Sequence, residues 1–188
     1  MKRGRTKYDD SEYPIFITTT ITEHIYLFHK PKLAKTCLEI IESVREKYKM
    51  KLYCYCLMPN HVHMVVQSLN QGDLSQFMKT WKALTARVII KYAETYDTEL
   101  LSKFQESANR YDSSLGGRQE HQVWAPRFDD VQLRTSKVLK TKVNYIHDNP
   151  VRKGIVESSE EFKYSSASWY DSEKDTFVTL TDIRTLLG

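Results

Sequence analysis

The chain has little cysteine, and the three it has, Cys37, Cys54 and Cys56, form no CxxC pair. An odd count without paired spacing excludes a disulfide framework and a zinc ribbon, and points to a reducing compartment. No apolar run approaches the roughly 18 to 20 residues that span a bilayer. The basic segment Met1-Lys-Arg-Gly-Arg-Thr-Lys7 is not followed by the apolar stretch of a secretion signal. Internal repeats and low-complexity tracts are absent. Charge of one sign does not dominate either: 28 Lys and Arg against 24 Asp and Glu leave a formal net charge of +4. That suits a nucleic-acid partner only if the basic residues cluster. These absences predict a soluble cytoplasmic protein with no membrane partner. At 188 residues, 1–188 fits one domain able to bury a core without staples.

From Tyr13 to Phe28, Ile15, Ile17, Thr19 and Ile21 alternate with Phe16, Thr18, Thr20 and Thr22, the signature of a first long strand. Apolar residues at three- and four-residue intervals predict a helix from Pro31 to about Lys49. Tyr53 to Leu57 and His61 to Gln67 read as paired strands broken at Met58-Pro59-Asn60. A second helix is expected from Leu74 to about Tyr92, with Asp73 as its cap after Gly72. Residues 95–122 are polar, with Ser113-Ser-Leu-Gly-Gly117 as the tip of an insertion or long connection. A third helix is expected from Leu133 to Asp148, stopped by Asn149-Pro150. Residues 157–188 read as a wrapping tail with a final helical turn near Asp182 to Leu187, leaving a core of about 13–156.

The chemistry concentrates in Tyr55-Cys-Leu-Met-Pro-Asn-His-Val-His-Met-Val-Val66. Alternate residues of a strand share a face, so His61 and His63 point one way while Val62 points into the core. Two neutral imidazoles on a rigid sheet suit a divalent metal better than they suit packing. Asn149 can supply a third ligand, an amide oxygen, giving a mixed site with room for Mg²⁺ or Mn²⁺, phosphate oxygens and water. Tyr145 stands four residues before Asn149 on the same helix face, placing a phenol one turn away. A phenol is a weak nucleophile at neutral pH and needs a neighbouring cation or a polarised phosphorus; Lys142 lies one turn before it.

Three segments occur in order: Leu57-Met-Pro-Asn-His-Val-His-Met-Val-Val66, Val123-Trp-Ala-Pro-Arg-Phe128 and Asn144-Tyr-Ile-His-Asp-Asn-Pro-Val-Arg-Lys-Gly154. Together they resemble the single-tyrosine HUH transposases, and within them the REP-associated tyrosine transposases of bacterial chromosomes. The resemblance implies an α+β fold, a ferredoxin-like antiparallel sheet with helices packed on one face. It also implies a tyrosine that cuts single-stranded DNA, bonds to the 5′-phosphate and leaves a free 3′-hydroxyl for rejoining. By motif position the catalytic nucleophile is Tyr145, and the metal ligands are His61, His63 and Asn149. The implied cofactor is a divalent metal, Mg²⁺ or Mn²⁺. The implied partner is single-stranded or hairpin DNA, met as a monomer or homodimer at the bacterial nucleoid. The stretch from His63 to Trp124 is longer and more polar than in compact members.

Lys79, Lys82, Arg87, Arg127, Lys142, Arg152 and Lys153 are the candidates for phosphate contact. Trp81, Trp124 and Phe128 offer faces for unstacked bases, with core the favoured reading for Trp81. The alternatives are a non-cleaving hairpin-binding module, a rolling-circle replication initiator, and a metallohydrolase recruiting Asp129, Asp130 or Asp148 as ligands.

Overall fold

The computed structural model describes residues 12–69, 73–110 and 119–186. The basic N-terminal segment, Gly72 and the Ser113–Gly117 tip lie outside the described residues.

Strands β1 (Ile15–Thr20), β2 (Lys51–Met58), β3 (His61–Gln67) and β4 (Asp129–Gln132) form one sheet in the order β2-β3-β1-β4. All neighbours are antiparallel. Helix α1 (Pro31–Lys47) connects β1 to β2, while α2 (Asp73–Tyr96) and α3 (Thr98–Arg110) lie between β3 and β4. This is the ferredoxin-like β-α-β-β-α-β order with one extra helix.

The register fixes what each face carries. Thr18 pairs with His63 and Thr20 with His61, while Cys56 and Met58 flank the same histidines from β2. Directly paired residues point to one side, so both histidines, Phe16, Thr18 and Thr20 share a face. Helix α4 (Ser136–Arg152) crosses that face, the Tyr145 ring meeting Phe16 edge-on at 6.2 Å. Ile15, Ile17, Val62 and Met64 are buried on the opposite face. There α1 and α2 pack on each other, Trp81 Nε1 donating to the Cys37 carbonyl at 3.2 Å. Cover on both faces explains why β2 and β3 read as nearly unbroken apolar runs.

Several expected boundaries are corrected. The first strand ends at Thr20, because Thr22–His24 forms a 3₁₀ turn in which Glu23 and His24 take positive φ, 51° and 54°. Helix α2 runs on to Tyr96, and part of the polar stretch is the amphipathic helix α3, burying Leu100 and Phe104. Asp97 Oδ1 accepts from Leu100 N at 3.1 Å to start α3. Helix α4 begins after Thr135, whose hydroxyl accepts from Val138 N, and it does not stop at Asp148. It carries Pro150 inside and ends at Arg152. The proline removes one donor only a turn from the end. A Schellman pair then closes that end: Ile155 N donates to Pro150 O at 2.9 Å and Gly154 N to Val151 O at 2.8 Å, with Gly154 at φ 66°.

The C-terminal residues wrap the β2 edge. Leu57 N donates to Tyr164 O and Ser166 N to Tyr55 O, ahead of α5 (Ala167–Ser172) and a closing 3₁₀ turn at Ile183–Leu186. Among the described residues, no helix is long and apolar enough to cross a membrane.

Candidate active site

The two-residue turn Pro59-Asn60 delivers His61 and His63 to the end of the sheet, and their Nε2 atoms converge to 3.1 Å. Adjacent ligand atoms of a cation with bonds of about 2.1 Å stand about 3 Å apart, so the spacing fits a shared metal. Burial, helped by Lys153 and His24, pushes His61 down to about 4. Burial, His61 and Lys142 push His63 down to about 3. Both rings are therefore neutral at pH 7, with lone pairs to offer.

Asn60 sets the tautomer of His61. Its Nδ2 donates to the His24 carbonyl at 3.2 Å, which turns Oδ1 toward His61 Nδ1 at 2.6 Å. Nδ1 then carries the proton and Nε2 is left bare. His63 is stacked on Phe16 at 5.5 Å, and its Nδ1 is buried without a partner.

Helix α4 brings the phenol. Lys142, Tyr145, Asn149 and Arg152 form one stripe, while Leu139, Val143, Ile146 and Pro150 bury the other side. The Tyr145 ring lies 5.4 Å from the His63 ring, and Lys142 Nζ and Arg152 Cζ stand over it at 5.1 and 5.7 Å. Asn149 is only 5% exposed and lines the same cleft as both histidines and Tyr145. It is an interior helical residue rather than the last one, because tertiary packing overrides the bias of the following proline. Two imidazoles and an amide oxygen are a donor set that a divalent cation accepts, with positions left over for substrate oxygens.

The cleft has a volume of about 450 Å³, and among the described residues none that lines it is acidic. Thr18 and Thr20 add hydroxyls to its floor, and Lys153 stands at its edge. Among the described residues, no group of three His, Cys, Asp or Glu is placed to hold a metal. Asp129, Asp130 and Asp148 lie outside the cleft, so the carboxylates that a metallohydrolase needs are not at hand.

The basic candidates divide. Lys142, Arg152 and Lys153 gather at the cleft. Lys79 and Arg87 are exposed on α2, across the sheet from it. Lys82 Nζ donates to the carbonyls of Ala125 and Arg127, at 2.5 and 3.3 Å, and so fastens that segment to α2; the Arg127 side chain is exposed. Trp124 is not a face for bases: it is 2% exposed, packs on Trp81 at 4.8 Å and donates to Thr85 Oγ1 at 2.9 Å. Trp81 is core, as expected, and Phe128 is half-buried against that core.

Sequence reasoning gave Asn60 only its place in the turn and Thr18 and Thr20 only theirs in the first strand, and it gave His147 no role of its own. His147 Nε2 bonds to Ser166 Oγ at 2.9 Å, and Ser166 Oγ also accepts from Tyr55 N, so the tail clasps α4 to β2. Burial pushes His147 down to about 4.

The family model for IS200-like transposases matches residues 10–125, more than half of the chain and including both histidines. The chain belongs to this family. The chain is 26% identical over 121 residues to a Haemophilus influenzae protein described as a REP-associated tyrosine transposase, a match covering 64% of this chain and 61% of that relative. It thus spans about three fifths of the relative's length. A solved structure of a REP-associated tyrosine transposase bound to a REP hairpin superposes on the IS200-like chain with a TM-score of 0.66 at 17% identity. That match covers 97% of this chain and 93% of the other, so the fold extends through α4 and the tail. The family match ends before Tyr145 and Asn149, whose place beside the histidines rests on the geometry of α4.

Proposed function

We propose that this transposase cuts and rejoins single-stranded or hairpin DNA through a covalent bond between Tyr145 and the 5′-phosphate. The observation that carries this reading is the delivery of the Tyr145 ring by α4 to 5.4 Å from His63, with Asn149 lining the same cleft. The phenolic oxygen attacks phosphorus, the P–O3′ bond breaks, and the departing oxygen takes a proton to become a 3′-hydroxyl. Attack by a second 3′-hydroxyl reverses the step and joins new ends. Lys142, Arg152 and Lys153 offset phosphate charge, and the Thr18 and Thr20 hydroxyls donate to its oxygens. His61, His63 and Asn149 would hold Mg²⁺ or Mn²⁺. When bound, the cation supplies Lewis-acid polarisation of the phosphate.

The test is incubation with labelled hairpins from the repeats flanking the gene, with Mg²⁺ or Mn²⁺, followed by a denaturing gel. The expected result is a metal-dependent protein–DNA adduct that Tyr145→Phe abolishes. Tight binding with no adduct, on several hairpins and with both metals, would replace this reading with the non-cleaving module.

A further inference from the structure

One wall of the cleft is a short lip, residues 21–28, that the proposed chemistry does not use. Glu23 and His24 hold consecutive left-handed conformations although neither is glycine, an arrangement that persists only when its surroundings impose it. The surroundings do so at several points. Ile21 N donates to Asn60 O, Leu27 N and Phe28 N both donate to Pro59 O at 2.8 and 2.9 Å, and Asn60 Nδ2 holds the His24 carbonyl. From the outside, Arg110 of α3 reaches the Glu23 carboxylate at 3.3 Å.

The lip projects Tyr26, which lines the cleft yet is 64% exposed, among the most exposed large hydrophobic side chains described. Ile155, 42% exposed, lines the cleft from the C-terminal end of α4, beside Lys153. An aromatic face held out on a rigid backbone, an aliphatic face on another part of the rim and a cationic edge suit a flat, apolar-faced group attached to a phosphate. A cleft of about 450 Å³ exceeds what a cation and one phosphate fill. Among the described residues no acidic side chain lines the cleft to oppose a nucleic-acid strand.

We propose that Tyr26 is a stacking platform for one unpaired nucleobase beside the phosphate that Tyr145 attacks, with Ile155 as a second apolar contact on the rim. The proposal rests on the DNA-cleaving reading above. It assigns the lip the task of choosing which unpaired nucleotide sets the cutting position. Stacking tolerates every base, so Tyr26 fixes position rather than sequence.

The experiment uses the full chain and hairpins from the repeats flanking its gene, with 2-aminopurine at each unpaired position in turn. Binding is expected to quench one position. Tyr26→Ala should abolish that quenching and weaken binding by about 5- to 150-fold. Tyr26→Phe should retain both. An abasic site at the quenched position should weaken native binding equally and cost nothing further in Tyr26→Ala. Native affinity and quenching in Tyr26→Ala, or losses that simply add, would overturn the proposal. Adduct formation is scored on the same samples. A Tyr145-dependent adduct with no effect of Tyr26→Ala removes only the stacking role. Failure of the native chain to form any adduct removes the cleavage reading itself.

Discussion

Asn60 Oδ1 sits 2.6 Å from Nδ1 of His61, and the same amide holds the His24 carbonyl with its nitrogen. Turning the amide over would set Oδ1 against the His24 carbonyl oxygen, so its oxygen stays toward the ring and favours the imidazole with its proton on Nδ1 and Nε2 bare.

Asn60→Ala should therefore leave His61 free to take either tautomer, and should weaken Mn²⁺ binding by about 10- to 100-fold, the usual cost of losing such a support. Direct Mn²⁺ titration measures the affinity, and ¹⁵N NMR of the metal-free protein reports the tautomer. An unchanged tautomer in Asn60→Ala would show that the ring is held by something else.

His147 makes stability depend on pH. Its ordinary value of 6.5 applies in the unfolded chain, whereas burial lowers it to about 4 in the fold. The unfolded state thus binds the proton first as pH falls, so His147 contributes stability that is complete above pH 6.5 and lost toward pH 4. The loss is roughly 3 kcal/mol at its limit, and His61 and His63 act in the same direction. Urea unfolding at pH 7 and pH 4.5 should show a smaller pH dependence in His147→Gln than in the native chain.

Gly154 occupies the left-handed position that ends α4, at φ 66°, with open space where a Cβ would stand. Gly154→Ala should cost about 1 kcal/mol and lower the melting temperature by about 2–4 °C. The penalty is conformational, not steric, so Gly154→Asn should restore part of it.

The basic residues should separate by experiment as they do in space. Lys153→Gln and Arg152→Gln are expected to weaken hairpin binding and reduce its salt slope by about one each. Arg87→Gln should change neither. Lys82→Met should lower thermal stability with little effect on the slope, because its ammonium serves the Ala125 and Arg127 carbonyls.

The readable parts of the site were those set by local periodicity. His61 and His63 differ by two on a strand, and Tyr145 and Asn149 by four on a helix, so each pair's shared face followed from spacing. That the two faces meet did not, since no spacing encodes the approach of β3 to α4. Strand β4 was hidden because Asp-Asp-Val-Gln has no apolar alternation; its pairing comes from the backbone of β1. Helix α3 did carry a signal, Leu100 and Phe104 four apart after Asp97, but it was diluted by polar neighbours. Lys82 and Trp124 looked free because their partners, a carbonyl pair and a threonine hydroxyl, are distant in sequence.

The clasp of Ser166 on Tyr55 and His147 also sets an order in time. A ribosome releases the chain from its N-terminus, so the strands bearing His61 and His63 emerge first, the helix with Tyr145 later, and the serine that fixes that helix later still. A partly synthesised chain carries the histidine pair before the phenol is anchored, so the cleft is completed only after Ser166 has emerged.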